Sequence, residues 1–271
     1  MMLQLAHISY KVPDRMLLQQ ITASIRPGAV TALMGSNGAG KSTLLKIISG
    51  ELRATEGEVH WNGKSLRQWD TREIARTRAV LRQQYNMQMP FSVFDIISMG
   101  RYPHCKSRIT QQCRKVIETV AEYTGVSHFL KRNYLTLSGG EQQRVQLARV
   151  LAQVWDTDAS QKLILLDEPV SALDIQYQHQ LLSLVKALTS QKFTIVAVLH
   201  DLNLAMQYAD DVLLLKQGKT VTFTHKDAAL TSGNIMETFG VQASLHQAGN
   251  IPHSFITINP MAAPAFNGAL F

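Results

Sequence analysis

The chain of 271 residues carries 45% apolar and 17% charged side chains with a mean hydropathy of -0.04, which excludes disordered and fibrous classes and supplies enough apolar material for one or two domains. Its 27 Lys and Arg against 20 Asp and Glu leave a net charge of +7, which favours an anionic partner: nucleotide phosphate, nucleic acid or a membrane surface. The two cysteines, Cys105 and Cys113, make neither a disulfide framework nor a complete zinc set and read as reduced thiols.

In chain order, Leu3 to Tyr10 and Ile21 to Ile25 alternate apolar with polar residues, as antiparallel strands with one open face do, and Gly57 to Trp61 belongs with them. Val30 to Met34, Leu163 to Leu166, Thr194 to Leu199 and Val212 to Leu215 are short apolar runs without alternation, the pattern of parallel strands buried on both faces. Helical patterns at Lys41 to Ser49, Gly140 to Gln153, Ile175 to Leu188 and Leu204 to Ala209 fall between and after them, giving an α/β alternation. From about Tyr85 to Gln161 the buried-strand pattern gives way to amphipathic stretches, including Val93 to Met99 and Gln111 to Tyr123, which predicts a helical insertion. The last fifty residues, interrupted by Gly and Pro, predict a loose appended segment with no core signature. The amino-terminal segment has no secretory pattern, and every apolar run is far shorter than the roughly 20 residues that span a bilayer, so membrane association is expected to be peripheral.

Gly35-Ser36-Asn37-Gly38-Ala39-Gly40-Lys41-Ser42 fits the P-loop pattern, with an apolar strand before it and a helix after it. Glycines let successive backbone N–H groups point at phosphate oxygens, and the helix amino end adds a dipole that favours negative charge. Lys41 is the candidate to neutralise the β and γ phosphates of ATP, Ser42 to hold Mg²⁺, and Thr43 to continue the nucleotide contact. Asp167 and Glu168 follow the apolar strand Leu163 to Leu166 at its carboxyl edge, where open parallel sheets bind ligands. Asp167 is the candidate for Mg²⁺, through water, and Glu168 the candidate to accept a proton from an attacking water. Alone, an acidic pair after a buried strand is weak; joined to the P-loop it points to nucleotide hydrolysis.

Leu137-Ser138-Gly139-Gly140-Glu141-Gln142-Gln143-Arg144 resembles the signature of ABC-transporter ATPases, and the resemblance extends over about Leu3 to Gly240. It implies a P-loop, RecA-like, mostly parallel α/β sheet with an antiparallel β subdomain and an inserted α-helical subdomain. The division that follows is residues 1–84 and 162–240 for the nucleotide-binding core, 85–161 for the helical signature subdomain and 241–271 for a carboxyl-terminal extension. The family likeness implies a homodimer joined head to tail, each ATP held between one P-loop and the other chain's Ser138, Gly139, Gly140 and Glu141. It also implies that Gln83 senses Mg²⁺ and the membrane partner, that Asp174 in Ser171-Ala172-Leu173-Asp174 belongs to the loop through which the chains communicate, and that His200 contacts the γ phosphate. Tyr10 is either the adenine-stacking aromatic or a sheet-surface residue; the stretch from Tyr10 to Gly28 is about two residues longer than the family's, which predicts an insertion in the loop Lys11 to Arg15. Val170 stands where the family usually has Thr.

Two transmembrane permease subunits, a periplasmic substrate-binding protein acting indirectly and a place on the cytoplasmic face of the inner membrane follow from the same resemblance; nucleic acid as partner does not. The segment Phe91 to His104 is similar to importers of iron chelates, haem and vitamin B12, and is expected to form, from Tyr85 onward, the groove for a permease helix. The insertion Val154 to Lys162 and the run Ile175 to Gln180 resemble hemin importer ATPases, with ferric siderophore or cobalamin as the alternative cargo; His179 itself is read by default as a solvated helix residue. His104, Cys105 and Cys113 lie too irregularly to define a metal or haem site.

Overall fold

The computed structural model describes residues 3–83, 87–105, 108–156, 162–171, 173–247, 249 and 253–260. Strands β1 (Leu3–Val12) and β2 (Arg15–Ile25) form a long hairpin. It is followed by β3 (Val30–Gly35), helix α1 (Lys41–Ile48), β4 (Glu56–Trp61) and the short β5 (Lys64–Ser65). Next come α2 (Thr71–Thr77), β6 (Arg78–Leu81), α3 (Val93–Met99), α4 (Gln111–Tyr123) and α5 (Gly139–Val154). The chain continues with β7 (Lys162–Leu166), α6 (Ile175–Ala187), β8 (Phe193–Val198), α7 (Leu202–Tyr208), β9 (Asp211–Lys216) and β10 (Lys219–His225). It ends in α8 (Lys226–Ala229), α9 (Ser232–Phe239) and a hairpin of β11 (Ala243–His246) with β12 (Phe255–Ile258).

The main sheet has the order β10-β9-β3-β8-β7-β6, parallel except for β9 with β10; a second sheet, β2-β1-β4-β5, is antiparallel throughout. Alternate side chains of the main strands enter different cores because successive residues of a strand point to opposite faces. Leu163, Leu165, Val196, Val198 and Leu213 pack under the antiparallel sheet and α1. Ile164, Leu166, Ile195, Ala197 and Val212 pack against the helices of the opposite face. That double burial is why these runs carry no polar alternation.

Two expectations are corrected. There is no insertion in the loop 11–15: β1 and β2 meet across a two-residue turn, and the extra residues are absorbed as bulges within the hairpin. Between Ile8↔Ile21 and Lys11↔Met16, β2 spends two residues more than β1, and His7 and Gln20 take positive φ (51 and 53) to turn the chain. The carboxyl-terminal segment is not loose over its described part: Ala229, Leu230, Ile235, Ala243 and Ile256 are buried in the main core. Strands β6 and β10 went unseen because both are edge strands with polar residues, Arg78 in one and alternating threonines in the other. The expected boundaries at 84/85 and 161/162 fall on residues outside those described, as do Tyr85, Ala172, most of the insertion 154–162 and residues 261–271. Among the described residues no helix is long and apolar enough to cross a membrane.

Candidate functional site

The loop between β3 and α1 is shaped by two glycines, Gly35 and Gly40, where an added side chain would displace its neighbours. Gly40 has φ 101, and a Cβ there would lie 2.7 Å from Leu18 Cδ2 and 2.9 Å from the Leu17 carbonyl. At Gly35 it would meet the Leu215 carbonyl. The Leu17 carbonyl reaches the loop because Leu17 lies in one of the bulged stretches of β2, and Gln19 N donates to Gly218 O at 2.8 Å alongside. The antiparallel sheet is thereby stitched to the loop and to the β9–β10 turn. Lys41 opens α1 behind Gly40 and turns its side chain back into the loop, where Nζ donates to the carbonyls of Gly35 (2.8 Å) and Ser36 (3.0 Å). Burial lowers its pKa, and the nearby Glu168 and Asp167 oppose that shift.

At the carboxyl end of β7, Asp167 N donates to Leu81 O at 2.8 Å, which joins the acidic pair to β6 and so to Gln83 just beyond it. Burial and the adjoining Glu168 push the Asp167 carboxyl above the usual range, while Lys46 and the Ser42 hydroxyl pull it down. Its Oδ1 is buried with no hydrogen-bond partner. An orphaned buried carboxylate oxygen beside a hydroxyl suits a hard divalent cation that takes oxygen ligands. A cavity of about 210 Å³ lined by Asp167, Gln83, Lys46, Ser49 and Glu51 opens at the same place.

Glu168 has φ 49, in the left-handed region that few non-glycine residues adopt. Its two carboxylate oxygens face different partners: Gln83 Nε2 donates to Oε2 at 2.6 Å, and His200 Nε2 lies 2.8 Å from Oε1. His200 follows β8 and precedes Asp201, whose Oδ1 accepts from Asn203 N (2.7 Å) and Leu204 N (2.9 Å) to cap α7. Three residues spread over 117 positions of the sequence thus meet because β6, β7 and β8 are neighbours in the sheet.

The signature residues open α5. Ser138 caps α5 in a capping box, with Ser138 N donating to Glu141 Oε2 at 2.8 Å and Glu141 N to Ser138 Oγ at 3.4 Å. Gly139 has open space where a side chain would be, and a Cβ on Gly140 would come 3.1 Å from the Tyr177 ring. Among the described residues no hydrogen bond or ion pair joins residues 138–141 to the loop 35–43. Asp174 caps α6, accepting from Tyr177 N at 3.0 Å, and Ile175 beside it is 74% exposed. Tyr10 is half-buried and pairs in register with Leu18, the residue that touches Gly40. Val170 is buried among core residues.

Two glutamines inside the motifs have roles that the motifs do not announce, because neither is itself a reacting group. Gln143 Nε2 in α5 donates to Pro169 O at 2.9 Å, tying the signature helix to the turn after Glu168. Gln178 Nε2 in α6 donates to Leu173 O at 2.9 Å and Val170 O at 3.3 Å, holding the other end of that turn. His179 is not simply solvated: its Nδ1 lies 2.8 Å from Tyr208 Oη, linking α6 to α7. Among the described residues no group of three or more His, Cys, Asp or Glu side chains is placed to hold a metal ion.

A P-loop at one strand end and a half-buried acidic pair at another, beside a separate helical part headed by a capped Ser-Gly-Gly, define a nucleotide-binding cassette, and the chain belongs to the ABC transporter family, whose model matches residues 18–171. It is 45% identical over 89% of its length to the Hemin import ATP-binding protein HmuV of Gloeobacter violaceus, of which it covers 88%. It is 37% identical to the protein of that name from Methylobacillus flagellatus, over 93% of this chain and 94% of that one. Among solved structures it resembles a metal-chelate type ABC transporter in an inward-facing conformation, with TM-score 0.82 and 28% identity over 96% of this chain and 97% of that one. A dimeric bacterial ABC transporter cassette superposes with TM-score 0.70 at 27% identity, covering 83% of this chain and 99% of that one.

Proposed function

We propose that the chain is the ATP-hydrolysing subunit that powers import of hemin across the bacterial inner membrane as part of an ABC transporter. The observation that carries the hydrolytic part is the Glu168 carboxylate, gripped by Gln83 and His200 a residue beyond Asp167 and close enough to Lys41 to act on its charge. The loop of Gly35, Ser36, Asn37, Gly38, Ala39 and Gly40 directs backbone N–H groups at the phosphates, with Ser42 and Thr43 at the helix start and Tyr10 on the adenine side. Lys41 stabilises the charge that develops on the transferred phosphoryl group. Glu168 accepts the proton of the attacking water, and His200 holds that carboxylate and the γ phosphate in line with it.

Mg²⁺ would be held by Ser42 and Asp167, with Gln83 beside them, and when bound it supplies neutralisation of the phosphate charge. The orphaned Asp167 oxygen supports that assignment. Ser138, Gly139, Gly140 and Glu141, which make no hydrogen bond to the chain's own loop among the described residues, serve the nucleotide of a second copy, and Asp174 with the exposed Ile175 lies at the junction. Closure of the two copies on ATP moves two attached permease subunits, which receive cargo from a periplasmic binding protein, with this chain peripheral on the cytoplasmic face. Within the chain, residues 1–84 and 162–240 act as the catalytic core and 85–161 as the part that answers to the permease.

The hemin relatives support the cargo; ferric siderophore or vitamin B12 is the second reading, favoured by the likeness to a metal-chelate type transporter. The test is growth of a deletion strain on hemin as sole iron source, complemented with the wild-type chain or Glu168→Gln. Rescue by the wild type alone is expected. Undiminished growth of the uncomplemented deletion strain on hemin, together with loss of siderophore or cobalamin uptake, overturns the cargo.

A further inference from the structure

The two cysteines are the chain's only ones, and the fold brings them together. Cys113 is the third residue of α4, 3% exposed, with its N–H donated to Thr110 Oγ1 at 3.1 Å. Cys105 is half-buried, and its N–H donates to Arg101 O at 3.1 Å. The sulfurs are 2.6 Å apart, well inside non-bonded contact and about 0.6 Å from the length of a disulfide bond. Neither residue is bonded to the other; both are free thiols.

The surroundings hold this pair in place. Arg72 Nε and Arg76 Nε donate to Pro103 O at 2.9 and 3.0 Å, and His104 Nε2 lies 2.8 Å from Gln153 O, so the backbone leading to Cys105 is pinned to α2 and α5. Arg101 is 1% exposed, bonded through its terminal nitrogens to Asp156 (2.7 and 2.9 Å) and Ala152 O (2.5 Å), while its Nε is buried without a partner. Burial raises the Cys113 thiol, but the Cys105 sulfur, Thr110 and the Arg101 guanidinium outweigh it and bring Cys113 down to about 7, whereas burial and the Cys113 sulfur push Cys105 up. One sulfur is thus the stabilised thiolate and the other, more accessible, its neighbour.

We propose that Cys105 and Cys113 are a redox-active dithiol that small disulfides of the glutathione class convert to an intramolecular disulfide. The Cys105 thiol passes its proton to water, and the resulting thiolate, the more accessible of the two, attacks one sulfur of the oxidant, forming a mixed disulfide and expelling the first glutathione thiolate, which takes up a proton. Cys113 thiolate then attacks Cys105 Sγ, forms the Cys105–Cys113 bond and expels the second glutathione thiolate, which takes a proton from water. Two electrons pass from the protein to the oxidant, which leaves as two thiols. Reducing compartments reserve such bonds for transient or sensing roles, and this one would tie the start of α4 to the segment after α3.

The test uses the full chain, incubated with oxidised glutathione, alkylated under native conditions and mapped without reduction. The expected product is a cross-linked peptide pair joining Cys105 to Cys113, with no retained glutathione and no alkylation at either residue. Dithiothreitol should restore both thiols. Cys113→Ser should instead retain one glutathione on Cys105, because the resolving sulfur is gone. Wild-type protein that keeps both thiols alkylatable, or that holds a lasting glutathione adduct on Cys105 without the cross-link, overturns the proposal.

Discussion

Glu168 is held at φ 49, a conformation that costs roughly 1 kcal/mol for a residue with a side chain, and its carboxylate is divided between Gln83 and His200. That strain is retained where the carboxylate is aimed. Glu168→Gln keeps the shape and the αL backbone but removes the proposed base. We expect ATP binding to be preserved, turnover to fall by on the order of 100-fold or more, and an ATP-bound dimer to accumulate, read by ATPase assay and gel filtration. Gly40 and Gly38 make a contrasting pair: both have positive φ, yet only Gly40 has atoms where a Cβ would go. Gly40→Ala should lower Tm by on the order of 5 °C and abolish nucleotide binding, whereas Gly38→Ala should cost only about 1 kcal/mol in stability, both read by thermal melts with and without ATP.

At the scale of elements, the segments just beyond α3 and α5 are joined by an ion pair, Arg101 with Asp156, in which Arg101 is 1% and Asp156 21% exposed. Removing one partner strands the other charge, so Asp156→Asn should cost about 3 kcal/mol and lower Tm on the order of 10 °C. Burial pushes Asp156 up but its bonds to Arg101 prevail and hold it below the usual carboxylate range; burial likewise opposes, and Lys186 with Val30 N overcomes, at Asp210. A depressed carboxyl stabilises the fold above its unfolded value, and that contribution is lost as pH falls through the folded value, because the unfolded chain then binds more protons. The urea midpoint should therefore drop between pH 5 and about pH 3, and drop less in Asp156→Asn. Gln143 acts between elements too, linking α5 to the turn that follows Glu168. Gln143→Ala should reduce kcat several-fold with little change in KM for ATP.

For the whole molecule, the proposed function has Ser138 serve the nucleotide of a second copy, which makes the completed site a property of two copies. Ser138→Arg should leave nucleotide binding by the monomer intact and abolish hydrolysis. Mixing that variant with an equally inactive Lys41→Ala chain provides the sharper measurement, since in a mixed dimer one site pairs an intact P-loop with an intact signature. About a quarter of wild-type activity should return. Activity that stays at zero in the mixture, with mixed dimers demonstrated, removes the shared-site arrangement.

The loop from Gly35 to Ser42, the acidic pair after Leu166 and the Ser138-Gly139-Gly140 turn were legible in the sequence because each is a local pattern: backbone shape, strand burial or a helix cap specified by adjacent residues. The two-sided apolar runs likewise announced a covered parallel sheet, since burial on both faces leaves no room for polar alternation. What the residues did not announce was proximity. The bulge at Leu17 that presses a carbonyl against Gly40, the grip of Gln83 and His200 on Glu168, the glutamines that hold the turn at Pro169 and Leu173, and the meeting of Cys105 with Cys113 all depend on strand order and helix packing. The buried carboxyl-terminal residues were missed for the same reason: Ile235 and Ile256 have no periodic run around them and are recruited singly by a core that already exists. Short-range stereochemistry is written along the chain, whereas contacts between segments exist only after the sheet has set which strand ends lie side by side.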